Sequence, residues 1–172
     1  MAPISCDSLK KRFGPSLKLD IGCGANPQPG FVGIDCQDFG RKDIIRHDIE
    51  TYPWPFEDGV FRFAMASHVA EHINPAKFGF INWMNEVWRV LEVGAQFIMA
   101  MPYGNNSFFV QDPTHVNQCN EVTWNYFDPL HESGFYRFYR PRPWKICSVQ
   151  WTPEGFMEVV LEKRQEDASY GR

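Results

Sequence analysis

With 172 residues, 44% hydrophobic and 16% aromatic, the chain has the length and apolar content of one globular domain with a sizeable core. Its formal charge of −4 lacks the basic excess by which dedicated polyanion binders neutralise phosphates, so nucleic acid is not the expected partner. Cys6, Cys23, Cys36, Cys119 and Cys147 form no C-x-x-C pair, the N-terminus has no signal-peptide core, and no run reaches membrane-span length; a reducing, cytoplasmic setting with no metal site is expected.

The chain divides into an N-terminal extension (1–16), a run of short strands and a closing hairpin, with no repeat or linker. Leu17–Ile21 is a short apolar run that ends at glycine, as a buried parallel strand does. Phe31–Asp35 repeats the form with an acid at its end, and Asp43–Arg46 is a weaker third strand. Phe61–Ala66 follows the turn Glu57-Asp58-Gly59 and reads as the fourth. Asn74 then offers an N-cap and Pro75 a first helical position. From there Ile81, Met84, Val87, Trp88 and Leu91 recur at helical spacing, with Gly94 as the stop. Gln96–Met101 is the fifth strand, and Lys145–Trp151 and Phe156–Lys163 pair through Thr-Pro-Glu-Gly. The pattern predicts an α/β fold, Rossmann-like: an open, mostly parallel seven-stranded sheet with one antiparallel strand and helices on both faces. The first helix is short or missing, because Ala25–Gly30 is a proline-bearing loop.

The sharpest local feature is Leu19-Asp20-Ile21-Gly22-Cys23-Gly24, directly after the first strand. Neither glycine carries a β-carbon, so a ligand can approach the backbone at the strand end, where open α/β sheets bind ligands; a tight turn without a ligand is the alternative. Asp20 can accept hydrogen bonds from a cationic amino group. Asp35, ending the second strand, can accept two from a ribose diol. A dinucleotide fingerprint requires a third glycine opening a helix and an acid about 20 residues on. Here Pro27 replaces that glycine and Asp35 comes far sooner, which disfavours a nicotinamide-dependent reductase.

The segments LDIGCGANP, GID ending at Asp35, HDIE, PWPFEDGVF, ASHVAEHI and NEVWRVLEVGAQFIMAMP occur in the order found in class I S-adenosylmethionine-dependent methyltransferases. Together they resemble that family's small-molecule branch over Leu17–Pro102, and the closing hairpin is similar to its last two strands. The resemblance implies S-adenosylmethionine as cofactor. Gly22 and Gly24 would line its methionine portion, Asp20 would support its amino group, Asp35 would hold the ribose hydroxyls, and Cys36 would pack near the adenine. Asp48 and Ile49 match adenine contacts, with a turn acid as the alternative for Asp48; Ser67 and His68 would lie beside the methionine end. Three departures stand out: Phe61-Arg62 where the family often has Phe-Asp, Val93-Gly94-Ala95 in place of Pro-Gly-Gly, and the absent first helix.

Residues 103–143 follow the fifth strand and are expected to cover the methyl group, although their aromatics would equally form a lid core. The basic run Arg137, Arg140, Arg142 and Lys145 is either a local patch or a solvated loop whose arginines cover aromatic faces. The segment holds Asp112-Pro113-Thr114-His115. His115 is the first candidate general base, since imidazole titrates near neutral pH, followed by Asp112 and His68; His72 is expected to cap or pack. His115 and Cys119 have helical i, i+4 spacing but no second ligand pair. No Asn/Asp-Pro-Pro-Tyr signature of nucleic-acid amino-methylation is present. The sequence therefore predicts methyl transfer to a small-molecule acceptor, with a cofactor-binding regulatory or partner protein as the alternative.

Overall fold

The computed structural model describes residues 3–170. Its strands are β1 (Lys18–Ile21), β2 (Val32–Asp35), β3 (Ile44–Arg46), β4 (Phe61–Ser67), β5 (Leu91–Pro102), β6 (Trp144–Trp151) and β7 (Phe156–Lys163). They form one seven-stranded sheet in the order β3-β2-β1-β4-β5-β7-β6, parallel except that β7 runs antiparallel to both β5 and β6.

The register assigns each side chain to a face. Leu19, Ala64, Phe97 and Leu161 lie in one row, and Ile21, Ala66, Met99 and Val159 in the next; all are buried. Helix α2 (Gly79–Val90) covers this face, with Trp83 packed edge-on to Phe97, whose other neighbour is Trp144. The opposite face carries Lys18, Phe63, Met65, Ile98 and Val160, none of them buried. Right-handed crossovers put the β1–β2 and β2–β3 connections on that face, because those strands advance away from β4 and β5. Gly22–Phe31 and Cys36–Asp43 contain no helix, and both are shorter than the roughly dozen residues a helical crossover needs. The missing first helix is thus accompanied by a missing second one between β2 and β3.

Two local differences from the sequence pattern have physical causes. Asn74 does not cap the long helix: its Oδ1 accepts the Ala76 N–H at 2.9 Å in a turn of its own, and the chain then kinks through left-handed Lys77 and Phe78. Helix α2 starts only at Gly79, where a β-carbon would lie 2.1 Å from the Asn74 carbonyl oxygen. The extension contains α1 (Cys6–Phe13), capped by Ser5, with Leu9 buried; Ile4 bridges to Phe56 and Glu57 accepts the Cys6 N–H. Segment Trp54–Asp58 is fastened to α2 by Glu86, which accepts the Trp54 N–H, and by Arg89, which donates to Glu86, Asp58 and the carbonyls of Trp54 and Phe56. Among the described residues no helix is long and apolar enough to cross a membrane.

Candidate active site

Strands β3, β2, β1 and β4 are parallel, so their carboxyl ends share one edge, and β1 is where the strand order reverses. The chain turns sharply there: the N–H groups of Gly22 and Cys23 both donate to the Ile34 carbonyl, at 2.8 and 3.4 Å. Gly22 and Gly24 both have left-handed backbone, with φ of +64° and +57°. Their roles differ. A β-carbon on Gly22 would lie 2.5 Å from Val69 Cγ2, whereas one on Gly24 would meet nothing within 4 Å. Gly22 lets β1 pack against the segment after β4, and Gly24 leaves open space beside the turn.

Asp35 stands at the end of β2, as expected, and also braces the loop: Oδ2 accepts the Gly24 N–H at 2.9 Å and Oδ1 the Gln37 N–H at 3.0 Å. Each oxygen retains a lone pair for a ligand hydroxyl. Asp20 is buried, and one oxygen accepts the Gln28 N–H at 2.8 Å, so it holds down the loop that replaces the first helix; burial pushes its carboxyl above the usual range. Gly33 makes that loop possible, a feature the sequence pattern did not single out. A β-carbon there would lie 2.6 Å from Cys23 Sγ and 3.2 Å from Pro27 Cβ, both packed down onto β2. The Cys23 thiol is pushed up to about 12 by burial, and then by the charges of Asp20, Asp35 and Asp43, so it is no nucleophile at neutral pH.

Cys36 is exposed at the end of β2. Asp48, after β3, occupies its carboxylate in its own turn, accepting the Glu50 N–H at 3.0 Å and the Thr51 hydroxyl at 3.1 Å; this is the geometry of the turn-acid alternative. Ile49 is partly buried, and its carbonyl accepts the Trp54 indole N–H. Ser67 and His68 are exposed at the end of β4, and His68 turns the chain with φ of +56°.

The 3₁₀ turn that follows, Ala70–His72, is the anchor for the covering segment. The N–H groups of Val116 and Asn117 both donate to the Glu71 carbonyl, and the Asn117 side chain to that of Ala70. This clamps Asp112–His115 beside the β4 end. His115 Nδ1 lies 3.0 Å from the Phe109 carbonyl and its Nε2 3.8 Å from Asp112 Oδ2. The Asp112 carboxyl is held below its usual range, chiefly by the Thr114 hydroxyl and N–H. His68 Nδ1 is 3.2 Å from Glu71 Oε1 and its ring lies edge-on to Phe156. His72, expected to cap or pack, packs its ring edge-on against His115 with centroids 4.7 Å apart. Glu71, within ASHVAEHI, is given no role by the resemblance; its signal in the sequence is a carboxylate in the run Val69-Ala70-Glu71-His72-Ile73.

The remainder of residues 103–143 splits in two. Tyr103–Cys119 is tied to the β6–β7 turn by Tyr103 N–H to the Gly155 carbonyl and closes on itself by Gly104 N–H to the Cys119 carbonyl. Trp124–Pro143 packs on the α2 side instead: Trp124 and Phe127 meet Phe80, the Trp88 indole donates to the Pro143 carbonyl, and Asn85 accepts the Arg142 N–H. Arg142 lies over the Trp88 ring and Arg137 over Phe138, so both arginines cover aromatic faces.

No family model and no curated protein matches this sequence. Solved structures match in fold. A SAM-dependent methyltransferase from Archaeoglobus fulgidus aligns over 92% of each chain, with 16% identity and a TM-score of 0.60. A 16S rRNA (adenine(1408)-N(1))-methyltransferase from Catenulisporales acidiphilia, solved with cosubstrate SAM, aligns over 95% of this chain and 93% of its own, with 12% identity and a TM-score of 0.58. The [4+2]-cyclase SpnF aligns over 94% of this chain and 80% of its own, with 14% identity and a TM-score of 0.57. With its strand order, its antiparallel β7 and its glycine turn at the β1 end, the chain carries the Rossmann-like fold of the class I S-adenosylmethionine-dependent methyltransferases.

Proposed function

We propose that this chain is an enzyme that transfers a methyl group from S-adenosylmethionine to a small-molecule acceptor. The observation that carries the proposal is the convergence, at one edge of the sheet, of an open glycine turn, the Asp35 carboxylate and the β4 end at Ser67 and His68. The residues present fit the cofactor. Gly24 leaves space that a β-carbon would narrow, Asp35 keeps lone pairs for a ribose diol, and Asp20 and Asp35 bring negative charge to the ends of β1 and β2, which suits a ligand carrying ammonium and sulfonium charges. Asp20, Gly22, Gly24 and Asp35 would hold the methionine and ribose portions; Cys36, Asp48 and Ile49 would flank the adenine; Ser67 and His68 would meet the methionine end.

When bound, S-adenosylmethionine supplies an already activated methyl group, so the protein's part is to align the acceptor and exclude water. The Tyr103–Cys119 segment, clamped to Glu71, does this on the acceptor side, with His115, Asp112 and His68 as the polar groups near the acceptor. A net charge of −4 favours a small acceptor over a polynucleotide. The cyclase on the same fold keeps open a second reading, cofactor binding without methyl transfer.

Two measurements test the proposal. Calorimetric titration with S-adenosylhomocysteine should show one site, and its absence would remove the cofactor assignment. Incubation with S-adenosylmethionine and panels of small hydroxyl, amine and thiol compounds, or RNA, should release S-adenosylhomocysteine with a small molecule. Release with RNA alone would replace the acceptor class, and binding without release would favour the second reading.

A further inference from the structure

Against the expectation of no metal site, we propose that Glu71, His72 and His115 bind a divalent first-row transition-metal ion. One ligand atom from each of the three lies within 4.8 Å of the others. Ligands around a tetrahedral ion with bonds of about 2.0–2.2 Å stand roughly 3.3 Å apart, so side-chain adjustments of about 1 Å bring the three together. Two imidazoles and one carboxylate suit zinc, cobalt or iron(II) better than magnesium or calcium, which prefer oxygen alone, and leave coordination positions open for a small ligand.

The second, independent observation is Glu71 itself. Its side chain is 1% exposed, Oε1 meets only His68 Nδ1, and buried Oε2 has no hydrogen-bond partner. An unpartnered carboxylate oxygen in that position is costly unless a cation compensates it.

The groups behind the histidines are those that prepare imidazole as a ligand. His115 Nδ1–H donates to the Phe109 carbonyl, which leaves Nε2 as the free lone pair. The Thr114 hydroxyl donates to Asp112 Oδ1 at 2.7 Å, so it accepts from His72 Nδ1–H at 3.0 Å, and His72 likewise keeps Nε2 free. The backbone clamp from Val116 and Asn117 to Glu71 fixes the two parts of the site relative to each other, and exposed His72 leaves an entry path. Resting on the methyl-transfer reading, the ion would ligate an acceptor hydroxyl and lower its pKa, which selects oxygen acceptors.

The test uses the full chain, stripped with chelator and titrated with cobalt(II) chloride, followed by visible absorption and then by displacement with zinc. The expected result is a saturable d–d band at one equivalent, and a rise in melting temperature with zinc. His72→Ala, His115→Ala and Glu71→Gln should each weaken cobalt binding more than about 100-fold, and Thr114→Val, behind a ligand, about 10-fold. Wild-type protein with no saturable band overturns the site. So does a folded Glu71→Gln or His72→Ala variant with unchanged cobalt affinity; His72 is exposed, so its variant should keep the fold if Glu71→Gln does not. A band that survives all three ligand variants likewise overturns it, because cobalt then binds elsewhere on the protein. Titration of the stripped protein with S-adenosylhomocysteine separates the two proposals: lost cofactor binding sinks methyl transfer and leaves the metal site standing.

Discussion

On one face of the sheet Leu19, Ile21, Ala64, Ala66, Phe97, Met99, Val159 and Leu161 are each at most 2% exposed. On the other, Met65, Ile98 and Val160 are half-buried, and Gln96 and Glu158 are exposed. The covered face owes its burial to α2 and to Trp124–Pro143, long connections whose Trp83 and Trp124 are fully buried alongside Trp144 of β6. The other has only short loops, and the loop Gly22–Phe31 lies over its β1–β2 end: Gln28 bonds to Asp20, Cys23 and Pro27 press onto Gly33, and Phe31 meets Phe63 edge-on. The contrast teaches a division of labour. Stability resides in the helix-covered face, and the ligand loop rests on the thinly covered one, where it is free of a crossover helix.

The largest expected effect compares neighbours on β5. Phe97→Ala empties a site between Trp83 and Trp144 and should cost about 3–5 kcal/mol in urea denaturation. Ile98→Ala, one residue on and facing the other way, should cost about 1 kcal/mol, since its side chain is only partly removed from water. Equal costs would break the comparison.

Next in size is Asp35→Ala. It removes the candidate ribose acceptor and also the brace on Gly24 and Gln37, so S-adenosylhomocysteine should bind about 1.5–3 kcal/mol more weakly by calorimetry. Unchanged affinity would remove the ribose assignment.

Gly33→Ala sharpens the same point from beneath the loop. Its β-carbon would crowd Cys23 Sγ, displacing the glycine turn at a cost of about 1–2 kcal/mol in S-adenosylhomocysteine affinity. The double variant with Cys23→Ala should recover most of that loss by making room. No recovery would mean that the loop does not depend on this packing.

A pH dependence tests the covered face in a different way. Lys163 is buried, donates to the Leu91 carbonyl at 2.7 Å and lies over the Trp88 ring. Burial lowers its pKa from 10.5 to about 8. Between those values the unfolded chain holds a proton that the folded chain lacks, so Lys163's contribution to stability rises with pH across about 8–10.5. Denaturation of wild type and Lys163→Met at pH 7 and pH 10 should therefore show the wild type gaining relative to the variant. A relative loss would mean that Lys163 stays charged in the fold.

Much of the succession of strands along the chain was legible because it follows from local chemistry. Apolar runs ending in glycine or an acid, a helical period from Ile81 to Val87 and a Thr-Pro-Glu-Gly turn each depend on residues close in sequence. Asn74 shows the limit. Its capping chemistry is real, but it closes a separate turn, because Gly79 must pass against the Asn74 carbonyl before α2 can begin.

By itself, the sequence determined which residues stand at the strand ends: Gly22 and Gly24, Asp35, Asp48, Ser67 and His68 are positioned by their own strands. It also pointed to a short or missing helix after β1, since Ala25–Gly30 is brief and holds Pro27 and Pro29. Only the tertiary structure decided what those residues touch. Asp20 and Asp35 brace a loop because β1 and β2 are neighbours, and Gly33 is needed because that loop folds back over β2. His72 meets His115, and Glu71 is buried with an unpartnered oxygen, because Val116 and Asn117 dock on the turn after β4. The contacts around Glu71 and His72 join residues more than 40 positions apart, as the bond from Asn117 to Ala70 does. Local propensity and spacing carry no information about such pairs; burial and long-range hydrogen bonding set them.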